Sequence, residues 1–163
     1  MNDEVTLGES STMNNIPDGD FQILIRHTPL VSVDLIITDP MGFCLLGRRQ
    51  FRPAKGTMFV PGGRIYKNEP IDVAFNRVLL LETGQRICEQ DEKKFMGVYE
   101  HFYDDSFQDI TESTHYVVLA YRIKLRSRFN VKPDNQHDLF EWFSVNELLA
   151  RPDVHKNVKA YFG

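Results

Sequence analysis

The chain has 163 residues, 42% of them hydrophobic, which suits one domain with a full core between two or three layers. Nineteen Lys and Arg against 23 Asp and Glu leave a formal charge of −4, without the basic footprint of a nucleic-acid or membrane-surface binder; an anionic ligand would need a local cationic pocket. The two cysteines, Cys44 and Cys88, lack CxxC spacing, and neither a membrane-length apolar run nor a signal-peptide pattern is present, so the expected setting is a reducing cytoplasm with no disulfide framework or zinc site.

In chain order, residues 1–17 are polar and read as a mobile tail, with one domain expected over 18–163. Asp18 or Asp20 is expected to cap a short helix, FQILIRH, that ends at Thr28-Pro29. Val31 to Thr38 alternates as a strand, DPMG at 39–42 is a turn, and FCLLGRR is the return strand of a hairpin. The loop QFRPAKG leads to a short strand, MFV, which runs into Pro61-Gly62-Gly63. A helix follows, with Asn68 as its cap, Pro70 in its first turn and Gly84 at its stop. Two β-rich runs, FMGVYEHFY and THYVVLAYRIKL, flank the acidic loop DDSFQDITES, and the chain closes with a FEWF strand, a helix capped by Ser144 and a helical stretch after Pro152. This irregular alternation predicts an α/β fold whose mixed sheet is covered by helices.

The helix before Gly84 carries the chemistry. Ile71, Phe75, Val78 and Glu82 are spaced 4, 3 and 4 apart and share one face, so Glu82 continues an apolar stripe. A carboxylate there is costly to desolvate unless it is paired or metal-bound, and the helix C-terminus disfavours its charge further. Two readings stand: Glu82 reaches water or pairs with Arg86, or it binds a metal ion. The preceding Pro61-Gly62-Gly63 allows close backbone approach to a ligand, and Arg64 adds a guanidinium suited to phosphate oxygens.

Gly63, Glu69, Arg77, Glu82 and Gly84 stand at the spacing of the Nudix box, and the chain resembles the Nudix hydrolases, which act on nucleoside diphosphates linked to another moiety. Two box acids are missing, with Val78 and Leu81 in their places, and Gln85 replaces an aliphatic residue. The GDP-mannose mannosyl hydrolase branch lacks the same two acids. TPLVSVDLI, LLGRR, RPAKGTMFVPGGR, EHFYDDSF, THYVVLAYR, PDNQHD and VHKNVKAYF also resemble that branch, so the likeness covers nearly everything from residue 20 onward.

The resemblance implies a Nudix-type α/β/α sandwich with a central mixed β-sheet. It also implies one Mg²⁺ or Mn²⁺ ion held by the Gly62 or Gly63 carbonyl, Glu82 and Gln136, with the substrate diphosphate completing the shell. His137 corresponds to the general base, and its ordinary pKa suits that task. Arg49 and Arg64 correspond to cations that stabilise a leaving diphosphate, and Asp34 to a sugar-site carboxylate. His101, Tyr103 and Tyr116 are candidate sugar or phosphate contacts; like His115, they can equally be aromatic-strand core residues. Glu69 and Arg77 are expected to be structural partners, Arg77 alternatively orienting Glu82, whereas for Arg48 and Arg52, neighbours of Arg49, a solvated face is at least as good a reading as a share in its cationic role. The implied reaction is hydrolysis of GDP-mannose or a related GDP-hexose to GDP and free sugar, by attack of water at the anomeric carbon with inversion. An ordinary pyrophosphohydrolase and a non-catalytic nucleotide-sugar binding module are the alternatives. A homodimer is the expected assembly, with no nucleic-acid or membrane partner.

Overall fold

The computed structural model describes residues 16–107, 111–131 and 137–163. Its centre is β1 (Leu30–Thr38), buried along nearly its whole length. Consecutive apolar residues suit such a strand because both of its faces are covered. Val33, Leu35 and Ile37 point into one core, while Ile36 points into a second core on the opposite face. Asp34 shares the face of Ile36 by the period of two.

Strand β1 runs parallel to β6 (Thr114–Lys124) from Leu30↔Tyr116 to Thr38↔Lys124, and β5 (Glu92–Tyr103) lies antiparallel on the outside of β6. On its other side, β1 meets β2 (Cys44–Arg49) only at Thr38↔Cys44. Toward the start of β1, Ser32, Val33 and Asp34 pair instead with β4 (Gly62–Arg64). Strand β2 also pairs with β3 (Met58–Phe59) and β7 (His137–Phe143). This change of partner along β1 positions the site, because the glycine-bearing β4 takes the place that β2 holds further along.

Helix α1 (Asp18–His27) contacts β6, and α2 (Ile71–Thr83) contacts β1 and β4. Phe75, Val78 and Leu79 fill the first core. The second core takes Leu148 from α3 (Val145–Ala150), Val158 from α4 (Lys156–Lys159) and Tyr161 beyond it. The result is the expected α/β arrangement, a mixed sheet flanked by helices.

Several boundaries depart from expectation for local reasons. Pro17, with φ −53°, is the residue before α1 and makes no side-chain cap, while Asp18 and Asp20 fall inside the first turn, where acids favour the helix dipole. Asn68 does not cap α2; it occupies a left-handed turn at φ 64°, and Pro70 precedes the helix in an extended conformation. A residue before proline avoids the helical region, which keeps Glu69 from continuing a helix begun at Asn68. Ile71 is 45% exposed, so the buried stripe starts at Phe75. The stop at Gly84 is as expected: it is left-handed at φ 70°, and its N–H donates to the Leu80 carbonyl. Ser144 and Glu147 complete a reciprocal capping box on α3. Strand β7 begins at His137, three residues before FEWF, so His137 belongs to the sheet and not to a polar loop.

Candidate active site

The partner change along β1 is accompanied by a cavity of about 210 Å³. Asp34, Arg49, Gly62, Gly63, Arg64, Glu82, His101, Tyr103 and Tyr116 all line it, gathered from five strands and one helix. Val78 and Leu81, which occupy the positions of the missing box acids, line the same wall.

One side is built by the glycine segment and α2. Arg77 donates Nε to Glu69 Oε1 at 2.6 Å and Nη2 to Glu69 Oε2 at 2.9 Å; Nη2 also lies 2.8 Å from the Arg64 carbonyl it bonds. Glu69 in turn accepts the Tyr66 N–H. Burial opposes the charge of Glu69, but the Arg77 and Tyr66 hydrogen bonds hold its carboxyl below the usual range. Arg77 is therefore the structural partner of Glu69 and also tethers the backbone of β4 at Arg64. The glycines are needed for close approach. A Cβ on Gly62 would come within 2.5 Å of Asp34 Oδ1, and one on Gly63 within 2.9 Å of Val78 Cγ2. Val78 thus packs under the loop where the box usually carries an acid.

Glu82 is 4% exposed, which disposes of the solvated reading. Its Oε2 lies 3.3 Å from Nδ1 of His137, itself 3% exposed. His137 sits over β2, where a Cβ on Gly47 would meet the imidazole at 2.7 Å, and beside Phe140, with ring centroids 5.0 Å apart. It is brought to Glu82 but stands outside the set of residues lining the cavity. Gln136 lies outside the described residues.

The other side comes from β1, β5, β6 and the chain's end. Tyr161, not among the candidate site residues, donates its hydroxyl to Asp34 Oδ2 at 2.6 Å and lies 3.1 Å from His101 Nε2. Burial raises the Asp34 pKa to about 6, opposed by the Tyr161 hydrogen bond and the charge of Arg49. Burial lowers His101 to about 4, with His155 adding to the effect. The Tyr103 and Tyr116 hydroxyls are both raised, chiefly by burial. His155, like Tyr161, was not expected at the site; it stacks near Tyr103 and Phe59 at centroid distances of 5.5 and 5.3 Å.

The cations differ in setting. Arg49 lies over Phe59 at 5.6 Å, and its buried Nε has no hydrogen-bond partner among the described residues. Such a donor favours an acceptor brought in by a ligand. Arg64 stacks 4.7 Å from Phe21 and 5.5 Å from Tyr66, which orients its guanidinium at the cavity wall. Arg48 pairs bidentately with Asp138 and is exposed, while Arg52 lies 3.6 Å from Asp105 beside a separate outer groove. His115 is stacked on Phe102 at 4.4 Å, away from the cavity.

No three His, Cys, Asp or Glu side chains converge as a metal cluster among the described residues. An ion at the glycine loop would depend on the Glu82 carboxylate, backbone oxygens at Gly62 or Gly63 and oxygens from a ligand. That donor set fits a hard, oxygen-liking divalent cation that retains waters and takes substrate phosphates.

The NUDIX domain profile matches residues 28–162. The chain belongs to the NUDIX domain family. It is 38% identical over 145 residues to the low-salt glycan biosynthesis protein Agl8 of Haloferax volcanii, covering 89% of this chain and 90% of that one. Its fold matches a MutT NUDIX hydrolase from Burkholderia pseudomallei with a TM-score of 0.65 at 23% identity, over 82% of this chain and 95% of that structure. The NUDIX domain of Shewanella oneidensis NrtR, solved with ADP ribose, matches with a TM-score of 0.61 at 15% identity, over 90% and 96% of the two chains. Membership makes this a Nudix-type hydrolase fold for a small-molecule substrate, in a family whose hydrolases generally use divalent metal ions. The missing box acids mark the chain as a divergent member. No helix among the described residues is long and apolar enough to cross a membrane.

Proposed function

We propose that the protein hydrolyses GDP-mannose, or a related GDP-hexose, to GDP and free sugar in a Mg²⁺- or Mn²⁺-dependent reaction. The observation that carries this reading is the composition of the cavity: α2 contributes the buried Glu82, with apolar Val78 and Leu81 where a multi-metal Nudix site would carry acids. Extra acids serve ions that activate water against phosphorus. A site with few acids and a second carboxylate, Asp34, beside Gly62 suits attack at the carbon of a bound sugar. The 38% identity to a glycan biosynthesis protein supports a sugar-bearing substrate.

In this reaction the water oxygen bonds to the anomeric carbon as the bond from that carbon to the β-phosphate oxygen breaks, and the electron pair leaves with GDP. Inversion follows from attack opposite the leaving group. His137 takes the proton of the water, and Arg49 and Arg64 neutralise the departing diphosphate. Asp34, His101, Tyr103 and Tyr116 orient the sugar and phosphates. The Gly62 or Gly63 carbonyl, Glu82 and Gln136 would hold the cation, which would supply positive charge for the leaving diphosphate. The reading includes a homodimer in the cytoplasm.

Incubation with a nucleotide-sugar panel and Mg²⁺ or Mn²⁺ tests it by product. GDP with free hexose is the expected result. GMP with a hexose phosphate would assign ordinary pyrophosphohydrolase chemistry, and ligand-induced stabilisation without product would assign a binding module.

A further inference from the structure

Tyr161 is contributed by the last turn of the chain, 127 residues away from the carboxylate that its hydroxyl contacts. It is 4% exposed, and its ring is fixed edge-on to Tyr99 with centroids 4.8 Å apart. Its proton is directed at Asp34 Oδ2, so the hydrogen bond with His101 requires Nε2 of that imidazole to carry the hydrogen. In the neutral ring Nδ1 is then an acceptor, and the Tyr103 hydroxyl faces it at 3.5 Å. A directional chain results, from Tyr103 through His101 and Tyr161 to Asp34. Tyr103, at its start, lines both the cavity and the outer groove of about 490 Å³.

We propose that Tyr161 is a positioning residue for the cavity: together with His101, it locks the orientation of Asp34 toward the bound sugar. A carboxylate rotates broadly about its last torsion unless one oxygen is anchored. Tyr161 anchors Oδ2, leaving Oδ1 over Gly62, where a Cβ would approach to 2.5 Å. The glycine and the tyrosine therefore act on opposite oxygens of one side chain. Hydrogen bonds linked in one direction also polarise one another, so loss of the central hydroxyl loosens more than a single contact.

This inference rests on the proposed GDP-hexose hydrolysis, and its test separates the two. Steady-state kinetics with GDP-mannose and Mg²⁺ would compare wild type, Tyr161→Phe, Asp34→Ala and the double variant, each checked for an unchanged fold by its thermal midpoint. Tyr161→Phe keeps the buried ring and should lower kcat about tenfold, because misplacement of a group that orients the reacting sugar acts on turnover, with KM within about threefold. In the Asp34→Ala background the same change should cost less than about twofold, since the acceptor of its hydroxyl is gone. Full kcat in Tyr161→Phe, or an equal loss in both backgrounds, would overturn the proposal. If wild type leaves GDP-mannose intact, the substrate reading fails and the ¹⁵N imidazole spectrum of the ligand-free protein decides the positioning role. An Nε2–H tautomer of His101 that is perturbed in Tyr161→Phe supports it; an Nδ1–H tautomer, or a spectrum indifferent to Tyr161, overturns it.

Discussion

The two sides of the cavity each present a buried carboxylate, but they are built by different means. Glu82 sits on one helix behind a contiguous loop, and the Glu69–Arg77 pair braces that loop from within a span of 8 residues. Asp34 is held by β1, β4, β5 and the final turn, through Tyr161 at a separation of 127 residues. The first side is a local device whose parts travel together in sequence. The second exists only when the whole sheet and the C-terminal turn are assembled. The difference separates what a motif encodes from what a fold encodes.

The largest expected effect breaks the local side. Glu82→Gln should remove metal-dependent turnover by at least about a hundredfold while leaving a folded protein, because Glu82 is the carboxylate assigned to the cation. Activity within a few fold of wild type would take Glu82 out of the cation site. His137→Gln should lower kcat more than substrate binding, read by comparing kcat with a directly measured Kd. A loss confined to affinity would leave His137 only as the neighbour of Glu82, from which it is 3.3 Å away.

Arg77→Ala tests the brace in isolation from the chemistry. The pair is partly buried, and its removal leaves Glu69 and the Arg64 carbonyl without their partner, so a loss of about 2 kcal/mol is expected in denaturant unfolding. By contrast, Asp138→Asn removes the exposed partner of Arg48 and should change stability by less than about 0.5 kcal/mol. If the two losses were equal, the distinction between a built loop and a solvated surface pair would collapse.

The assembled side carries a pH signature. His101 is depressed to about 4, first by burial and then by His155, so the folded state takes up its proton less readily than the unfolded chain. Its contribution to stability is complete above the unfolded value and is lost as pH falls toward 4. Between pH 7 and 5 that loss should be on the order of 1–2 kcal/mol. Asp34, raised to about 6 by burial, has the opposite sign: its contribution is lost as pH rises through 6. Thermal midpoints across pH 4.5–7.5 should therefore fall more steeply on acidification in Asp34→Asn than in wild type. Parallel curves would deny that Asp34 differs in protonation between the two states.

The sequence announced the local side almost completely. The spacing of Gly63, Glu69, Arg77 and Glu82 is set by one loop and one helix, and period-3.6 reasoning placed Glu82 on the buried face of α2. Helix starts were harder to read because Pro17 and Pro70 impose their own backbone constraints, leaving Asp18 inside the first turn and Asn68 in a turn before the helix. On the assembled side, Asp34 and His101 were visible only through family likeness. A lone acid in a strand pattern can face either way until the other face is known to be covered. Tyr161 lies in the family-like stretch VHKNVKAYF, but its role is not legible there, since a tyrosine near a chain end acquires a partner only through tertiary packing. His137 shows the same limit: it follows the polar run Pro133-Asp134-Asn135-Gln136 in sequence, yet pairing with β2 and the bare backbone of Gly47 bury it.

The central claim is that this divergent Nudix site breaks a bond to carbon. Hydrolysis of GDP-mannose in ¹⁸O-labelled water, followed by mass spectrometry of both products, tests it directly. Label is expected in the free sugar and none in GDP; label in a nucleotide phosphate or a sugar phosphate would place the broken bond at phosphorus.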